Sequence, residues 1–558
     1  MREYGFLGVT KIIFRVVCFF FVGCILFLCL QRLMIPKWNY PVMVENVSDS
    51  LESFYSQESD LYDVLFLGTS HMVYSISPMH LYDEYGISSY NLGSSGQRIS
   101  GSYYLLKEAL KKQTPKVVVL DVSNLFLSEY NEAAWRYILD TMPETAEKAA
   151  MAADYAAINR YQEDIPIVFD HSYVSALLPL FYYHDRWKEL SSEDFRDYYK
   201  SDSYFTAGYF LCPIIVSRGK TVTIMNDVAD EMATDNEKRV YSFTDTLDKE
   251  DNQEDVLYST QISKENKEWF DKIVQLCSDN NIQLLLTKIP AIDYPNNYES
   301  AWTKIKYERI KKFANKRNIV FYDMLYEDDI GFDMDTDFVD GGVHFNYKGA
   351  VKATHALGNY LITNYGLSSK KNAIFDKNMD LFREICRCAD LEMEQNFSDY
   401  LEYLNEIKEQ SIILIASQDE MTEGLNEEEI KGLKELGLSA DYKTIPAYRD
   451  SYIAVIDGGT VLYETASNRK LTYSTSFNGN AVSIISSGWK TGPYASIKIE
   501  NEENAINTIG INMVICDKQS GLVIDSIAVN TNRTEPHTVA HVNTLDYLSE
   551  YWQSKVKS

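Results

Sequence analysis

The side chains of this sequence best suited to covalent chemistry are Ser70 and His344. Ser70 closes the stretch Val64-Leu-Phe-Leu-Gly-Thr-Ser70, an apolar run that passes through Gly68 into a hydroxyl. A strand–Gly–turn–helix transition of this kind presents a side chain above the carboxyl edge of a sheet. A serine is a poor nucleophile until a base takes its proton, and the base needs an acceptor to orient it. His344, in Asp337-Phe-Val-Asp-Gly-Gly-Val-His344, can be that base, with Asp340 or Asp337 as the acid. Gly93, in Tyr90-Asn-Leu-Gly-Ser-Ser-Gly-Gln97, lets backbone approach a ligand and can aim an N–H at a developing oxyanion. Each piece has a plainer reading alone: Ser70 as a helix N-cap or phosphate contact, Gly93 as an ordinary turn. The acidic run Asp333, Asp335, Asp337 does not make a calcium loop. Phe338 stands where the turn needs Gly, and His344 where the closing Glu belongs.

Elements that can position these residues are legible around them. Short apolar runs at 63–68, 117–122, 282–289 and 319–324 read as strands, and 101–112 and 267–280 have helical period. Near-continuous Val, Leu and Ile in strands separated by helices predicts a parallel sheet covered on both faces. From about 129 to 260 the pattern breaks into an aromatic-rich segment ending in the acidic stretch 244–255, read as an insertion over one edge or mouth of the sheet. A helical stretch near 371–408 leads to a different composition. Runs at 411–417, 451–464, 481–487, 495–500, 511–517 and 521–530 alternate apolar and polar residues around one clear helix at 426–437. This predicts a second, smaller, mostly β domain of α+β type.

The chain has 558 residues, room for two or three domains, and 45% hydrophobic content argues for folded ones. A formal charge of −28 argues against nucleic acid or an anionic membrane surface as a partner for its body. Residues 16–31 carry no charge, and Ile12, Ile13 and Phe14 extend the run past Arg15. About 20 apolar residues cross ~30 Å of hydrocarbon, with Arg15 and Arg32 able to snorkel to the interfaces. The following residues, Arg32-Leu-Met-Ile-Pro-Lys-Trp38, lack a small-residue cleavage pattern, so an uncleaved anchor is expected rather than a signal peptide. Arg2, Lys11 and Arg15 place the amino terminus in the cytoplasm and the bulk outside. The expected layout is a cytoplasmic tail at 1–11, a transmembrane helix at 12–33 and a tether at 34–60. Of the cysteines, Cys18, Cys24 and Cys29 fall in the anchor, and Cys212, Cys277, Cys386, Cys388 and Cys516 are scattered. They form neither a disulfide framework nor a metal-ligand pattern, and no cofactor is expected.

In type and order, the Ser70, Gly93 and His344 blocks resemble the SGNH (GDSL-like) hydrolase superfamily over roughly 60–370. "GTSH", "NLGSSGQ", the "TKIP" strand end and "HFNYKGA" look most like membrane-anchored bacterial members related to teichoic-acid D-alanylation and polysaccharide O-acetylation proteins. The resemblance implies a flavodoxin-like domain at 61–370, with Ser70 as nucleophile, His344 as base, and the Gly93 and Ser70 N–H groups as oxyanion hole. Two positions depart from the family. Its acid usually stands three residues before the His, where this chain has Gly341, so Asp340 needs a longer loop. The family's Gly-x-Asn-Asp block is absent, and Asn124 is the substitute donor.

Beyond a helical linker at 371–399, residues 400–438 and 447–459 resemble the second half of the interleukin-like EMT-inducer domain, and 482–531 its first half. The order implies a circular permutation, tolerable where termini lie close together. Some relatives of this domain, such as the stem domain of the O-mannose N-acetylglucosaminyltransferase, bind sugar. Of the positions used there, this chain keeps Asp419 and Arg449 and has Ile509 in place of an Arg. The resemblances together imply acyl transfer, chiefly O-acetyl, or ester hydrolysis on a cell-surface or exported polysaccharide, beside a membrane-bound O-acyltransferase partner. The alternatives are a non-catalytic glycan-binding or assembly subunit with a vestigial triad, and a D-alanyl transfer helper for teichoic acids.

Overall fold

The computed structural model describes residues 6–36, 47–127, 129, 132–158, 173–190, 192–195, 206–213, 262–290, 301–324, 330–333, 336–340, 342–367, 369–532 and 536–542. The acidic stretch 244–255, Trp38, Asp335 and Gly341 lie outside the described residues.

The chain begins with helix α1 (Phe6–Met34) and α2 (Val47–Ser56). From Lys11 to Met34, α1 is long and apolar enough to span a membrane or serve as a signal sequence. A mixed α/β region follows: β1 (Val64–Leu67), α3 (Ser70–Ser75), α4 (Pro78–Tyr85), β2 (Ser89–Asn91), α5 (Ile99–Ala109) and β3 (Val117–Asp121). Then come α6 (Glu132–Thr141), α7 (Ala146–Ile158), α8 (Tyr173–Leu177), α9 (Pro179–Tyr182) and α10 (Lys264–Asp279). The region closes with β4 (Gln283–Lys288), α11 (Ala301–Asn315), β5 (Val320–Asp323) and α12 (Tyr347–Tyr365).

Strands β2-β1-β3-β4-β5 form one parallel sheet in that order. Its register pairs Leu65 with Tyr90 and Val118, Leu120 with Leu286, and Leu286 with Phe321. Side chains alternate across a strand, so each run divides between two cores. Leu65, Leu67, Val118 and Leu120 pack with residues of α5, α10 and α11. Val64, Phe66, Val117 and Val119 pack with residues of α3, α4 and α12. This double burial is why the runs are apolar at every position, and truncating Phe66 to Ala is expected to cost about 3–5 kcal/mol.

Of the expected insertion, α6 and α7 pack against α5, while 206–213 runs beside the sheet edge and α3. There Ala207 O accepts from Asn91 N–H on edge strand β2, Phe210 N–H donates to Val73 O, and Cys212 O accepts from Tyr347 N–H.

Helix α13 (Ala373–Met393) serves two cores. Phe375, Phe382, Ile385 and Ala389 belong to the parallel-sheet core, and Cys388 and Leu391 to the core beyond it. The region beyond α13 consists of α14 (Phe397–Ile407), β6 (Ser411–Asp419), α15 (Glu427–Glu435), β7 (Ser451–Asp457), β8 (Thr460–Ser467) and β9 (Leu471–Phe477). Strands β10 (Asn480–Gly488), β11 (Tyr494–Ile499), β12 (Glu502–Glu503), β13 (Gly510–Asp517), β14 (Val523–Val529) and β15 (Val539–His541) complete it. All of these strands share one curled sheet. β6 is fully buried and pairs antiparallel with both β7 and β13. The stretches 400–459 and 482–531 therefore meet along two strand pairs of β6, Ser411–Gln418 against Gly510–Asp517 and Gln418–Asp419 against Ser487–Gly488. Asn426 starts α15 with a reciprocal capping box to Glu429.

Candidate active site

β1 delivers the site. Gly68 follows its last residue, and a Cβ there would lie 2.7 Å from Asp121 Cβ, so the close approach of the turn to β3 requires glycine. Thr69, not Ser70, is the N-cap of α3, accepting from His71 N–H at 3.3 Å. Ser70 is thereby left at the first helical position with its hydroxyl free for other work. Its N–H has no intrahelical acceptor.

Ser70 Oγ lies 2.8 Å from His344 Nε2, and His344 Nδ1 lies 2.7 Å from Asp340 Oδ2. A carboxylate can only accept, so Nδ1 carries the proton and Nε2 is left to take one from Ser70. Asp340 Oδ1 also accepts the backbone N–H groups of Val343 and His344, at 3.0 and 2.8 Å. Asn346 caps α12 by accepting from Gly349 N–H, which fixes the chain just after His344. Of the two candidate acids, Asp340 faces His344. Asp337 is fully buried elsewhere, accepting from Lys352 Nζ and from Asp333 N–H, each at 2.7 Å.

The expected oxyanion donors are placed differently from one another. The Gly93 N–H donates to Asn91 Oδ1 at 3.1 Å, and Asn91 Nδ2 donates to Met72 O and Ile76 O at the end of α3. Gly93 thus stands beside α3, with Val73 Cγ2 2.9 Å from where a Cβ would be, but its N–H is engaged. Asn124 is fully buried and donates to Ser102 Oγ on α5 at 3.2 Å. Its hydrogen bond ties it to the helix layer rather than to α3.

Five nearby residues, His71, Tyr74, Asp121, Ser123 and Lys288, are not among the site candidates read from the sequence. The His344 ring sits 5.2 Å from His71 and 4.8 Å from Tyr74, centroid to centroid. Burial holds His71 well below the ordinary imidazole range, with Lys288 and His344 adding to the effect, and its Nδ1 has no partner. Beneath the turn, Asp121 accepts from Thr69 Oγ1 at 3.2 Å and from Ser123 Oγ at 2.9 Å. Ser123 Oγ accepts in turn from Lys288 Nζ at 3.0 Å. The only sequence signal for this relay is that Asp121 and Lys288 both end apolar strands.

Residues 390–460 match the Interleukin-like EMT inducer family, over the end of α13 and on through β7. No curated protein matches the chain in sequence. Among solved structures, a "putative acylhydrolase" from Bacteroides fragilis is similar at 12% identity and a TM-score of 0.25, covering 56% of this chain and 94% of that one.

In the matched region, Asp419 ends β6 and Arg449 precedes β7. Arg449 Nε lies 3.7 Å from Asp419 Oδ1, too far for a hydrogen bond, and both atoms are buried without a hydrogen-bond partner. The guanidinium lies 4.8 Å from the ring centroid of Trp489 and 5.0 Å from that of Tyr448, both exposed rings. Trp489 and Tyr448 were not singled out from the sequence, because they are separated in it and are joined only by the sheet.

Proposed function

We propose that this chain is a membrane-anchored, extracytoplasmic serine esterase or acyltransferase of the SGNH (GDSL-like) type, acting on O-acyl groups, chiefly acetyl, of a cell-envelope or exported glycan. The observation that carries the reading is the Asp340–His344–Ser70 relay, with spacings of 2.7 and 2.8 Å, at the carboxyl edge of a parallel sheet. The strand order β2-β1-β3-β4-β5 supports a flavodoxin-like reading, in which sites lie at this edge. On this reading the catalytic domain spans about 61–370, with its insertion at 129–260, and 371–399 connects it to a permuted interleukin-like EMT-inducer domain at 400–558.

In the reaction, Ser70 Oγ attacks the ester carbonyl carbon while His344 Nε2 takes its proton. The imidazolium formed is held by Asp340, and the Ser70 N–H meets the oxyanion. The Gly93 N–H joins it on leaving Asn91 Oδ1. Collapse breaks the ester C–O bond, His344 returns the proton to the departing alkoxide, and an acyl-serine remains. A water or a sugar hydroxyl then attacks that acyl group, again through His344. A membrane-bound O-acyltransferase is the partner that would supply acyl groups beside the anchor.

Intact-mass measurement of the full chain in detergent after fluorophosphonate treatment tests this, for wild type and Ser70→Ala. A single adduct that Ser70→Ala abolishes supports an activated serine. No adduct in wild type moves the reading to a glycan-binding or assembly subunit. Mass analysis of the modified polymer separates acetyl from D-alanyl transfer. The paired but unsatisfied Asp419 and Arg449 beside exposed Trp489 and Tyr448 favour a second role within the same chain, holding a glycan near the membrane.

A further inference from the structure

The described residues of segment 173–195, 173–190 and 192–195, pack on the carboxyl end of α1 through α9 and the turns at 184–188 and 192–195. Arg186 is the clamp. Its Nη1 donates to Leu33 O and Met34 O, each at 3.2 Å, which are among the last carbonyls of α1 and have no intrahelical donor. Its charge is met by the fully buried Asp194. Met34 is buried under this cover. Further along α1, Phe181 lies against Phe27, ring centroids 6.4 Å apart. Phe27 precedes Met34 by about two turns, so Phe181 sits about 10 Å inside the carboxyl end of the apolar span.

The same segment turns large apolar side chains outward. Tyr173, Val174, Phe181, Trp187 and Phe195 are exposed, Trp187 at 61% and Phe195 at 70%. Lys188 Nζ lies 5.6 Å from the Trp187 ring. Aromatic rings with an adjacent lysine are the composition of interfacial segments, which bury their apolar face about 5–10 Å into the headgroup and acyl boundary. The depth of Phe181 along α1 falls in that layer.

We propose that segment 173–195 is a membrane-interface collar: its exposed rings enter the phospholipid leaflet around the carboxyl end of α1 and hold the rest of the chain at a fixed attitude to the bilayer. The collar rests on reading α1 as an uncleaved anchor. Any bilayer that takes up α1 through Phe27 must also accommodate Phe181. The occupant is therefore lipid, by continuity with the apolar surface of the span.

The test is tryptophan quenching of the full chain reconstituted in phosphatidylcholine vesicles whose acyl chains carry bromine near the headgroup. The chain has 7 tryptophans, so the signal is read as the difference between wild type and Trp187→Phe. The expected result is a bromine-quenched component in wild type that Trp187→Phe loses and that Phe181→Trp in the Trp187→Phe background restores. Equal quenched fractions in all three chains, with intact mass showing α1 retained, overturn the collar alone and leave the anchor standing. An intact mass showing α1 removed overturns the anchor and the collar together. A face shaped for a protein partner instead of lipid stays out of the acyl chains and gives the equal-quenching result.

Discussion

Asp340 holds His344 by two bonds at once: Oδ2 to the ring Nδ1 at 2.7 Å and Oδ1 to the backbone N–H at 2.8 Å. The same carboxylate therefore sets the tautomer of the ring and the course of the chain that carries it. Asp340→Asn keeps the shape but offers an N–H to Nδ1, favouring the tautomer that cannot accept from Ser70. The expected effect is a fall in kcat of up to about 10⁴ for an aryl acetate, with little change in melting temperature. Asp337→Asn is the control. It weakens the 2.7 Å pair with Lys352 and should lower stability while leaving kcat within a few-fold. The reverse ranking of kcat would reject Asp340 as the orienting acid.

Lys288 is nearly buried at the end of β4, and it reaches Asp121 only through Ser123. Lys288→Gln should cost about 1–3 kcal/mol in stability, because Asp121 then lies buried with its compensating charge removed. The same ammonium helps depress His71. In the variant, the His71 ring should titrate at higher pH by NMR, though still below an exposed histidine, since burial is the larger cause. An unmoved His71 resonance would show that the two groups are not electrostatically linked.

The central strands β1 and β3 were readable because they are buried on both faces and so apolar from Val64 to Leu67 and from Val117 to Leu120. Edge strand β2 carries no apolar run of its own, since Ser89 and Asn91 are polar yet fully buried, with Asn91 spent on holding α3. Strand β9 was not read as a strand, because its residues alternate between partly buried and exposed and the apolar signal of Leu471, Tyr473 and Phe477 is thin. At the site, the sequence puts Asp340 first as the acid and keeps Asp337 as the alternative. The choice depends on which carboxylate the loop turns back onto His344, a matter of backbone course that residue type does not encode. His71 was visible beside Ser70, but its closeness to His344 comes from the α12 end of the fold.

Burial pushes the Glu129 carboxyl up to about 7, against the opposing hydrogen bonds from the Ser100 hydroxyl and N–H. A carboxyl raised on folding binds a proton in the folded chain that the unfolded chain has already released. Its contribution is thus fully present below about pH 4.5 and is lost as pH rises through about 7. The size is on the order of 3 kcal/mol over that window. Glu129→Gln should remove this slope, so that denaturation midpoints for wild type and variant diverge from pH 5 to pH 7.5, with wild type falling relative to the variant. Parallel midpoints across the window would show that Glu129 is ionised at both ends of it.

Asp419 and Arg449 both adopt left-handed backbone, with φ of 58° and 61°, a conformation that costs a non-glycine residue of order 1 kcal/mol or more. Packing enforces it: a Cβ on Gly488 would fall 2.1 Å from Arg449 O, so β10 passes directly against this turn. The result is a carboxylate and a guanidinium side by side, each with an unsatisfied polar atom, under the exposed rings of Trp489 and Tyr448. A sugar can stack its C–H face on Trp489 and give its hydroxyls to the two charged groups. Trp489→Ala should weaken binding of the acylated glycan at least ten-fold by calorimetry, with the melting temperature unchanged because the ring is exposed. Arg449→Lys keeps the charge but loses the planar fork of donors, so it should weaken binding to a similar degree. Wild-type affinity in both variants would mean that the Asp419–Arg449 turn shapes the sheet end and holds no ligand.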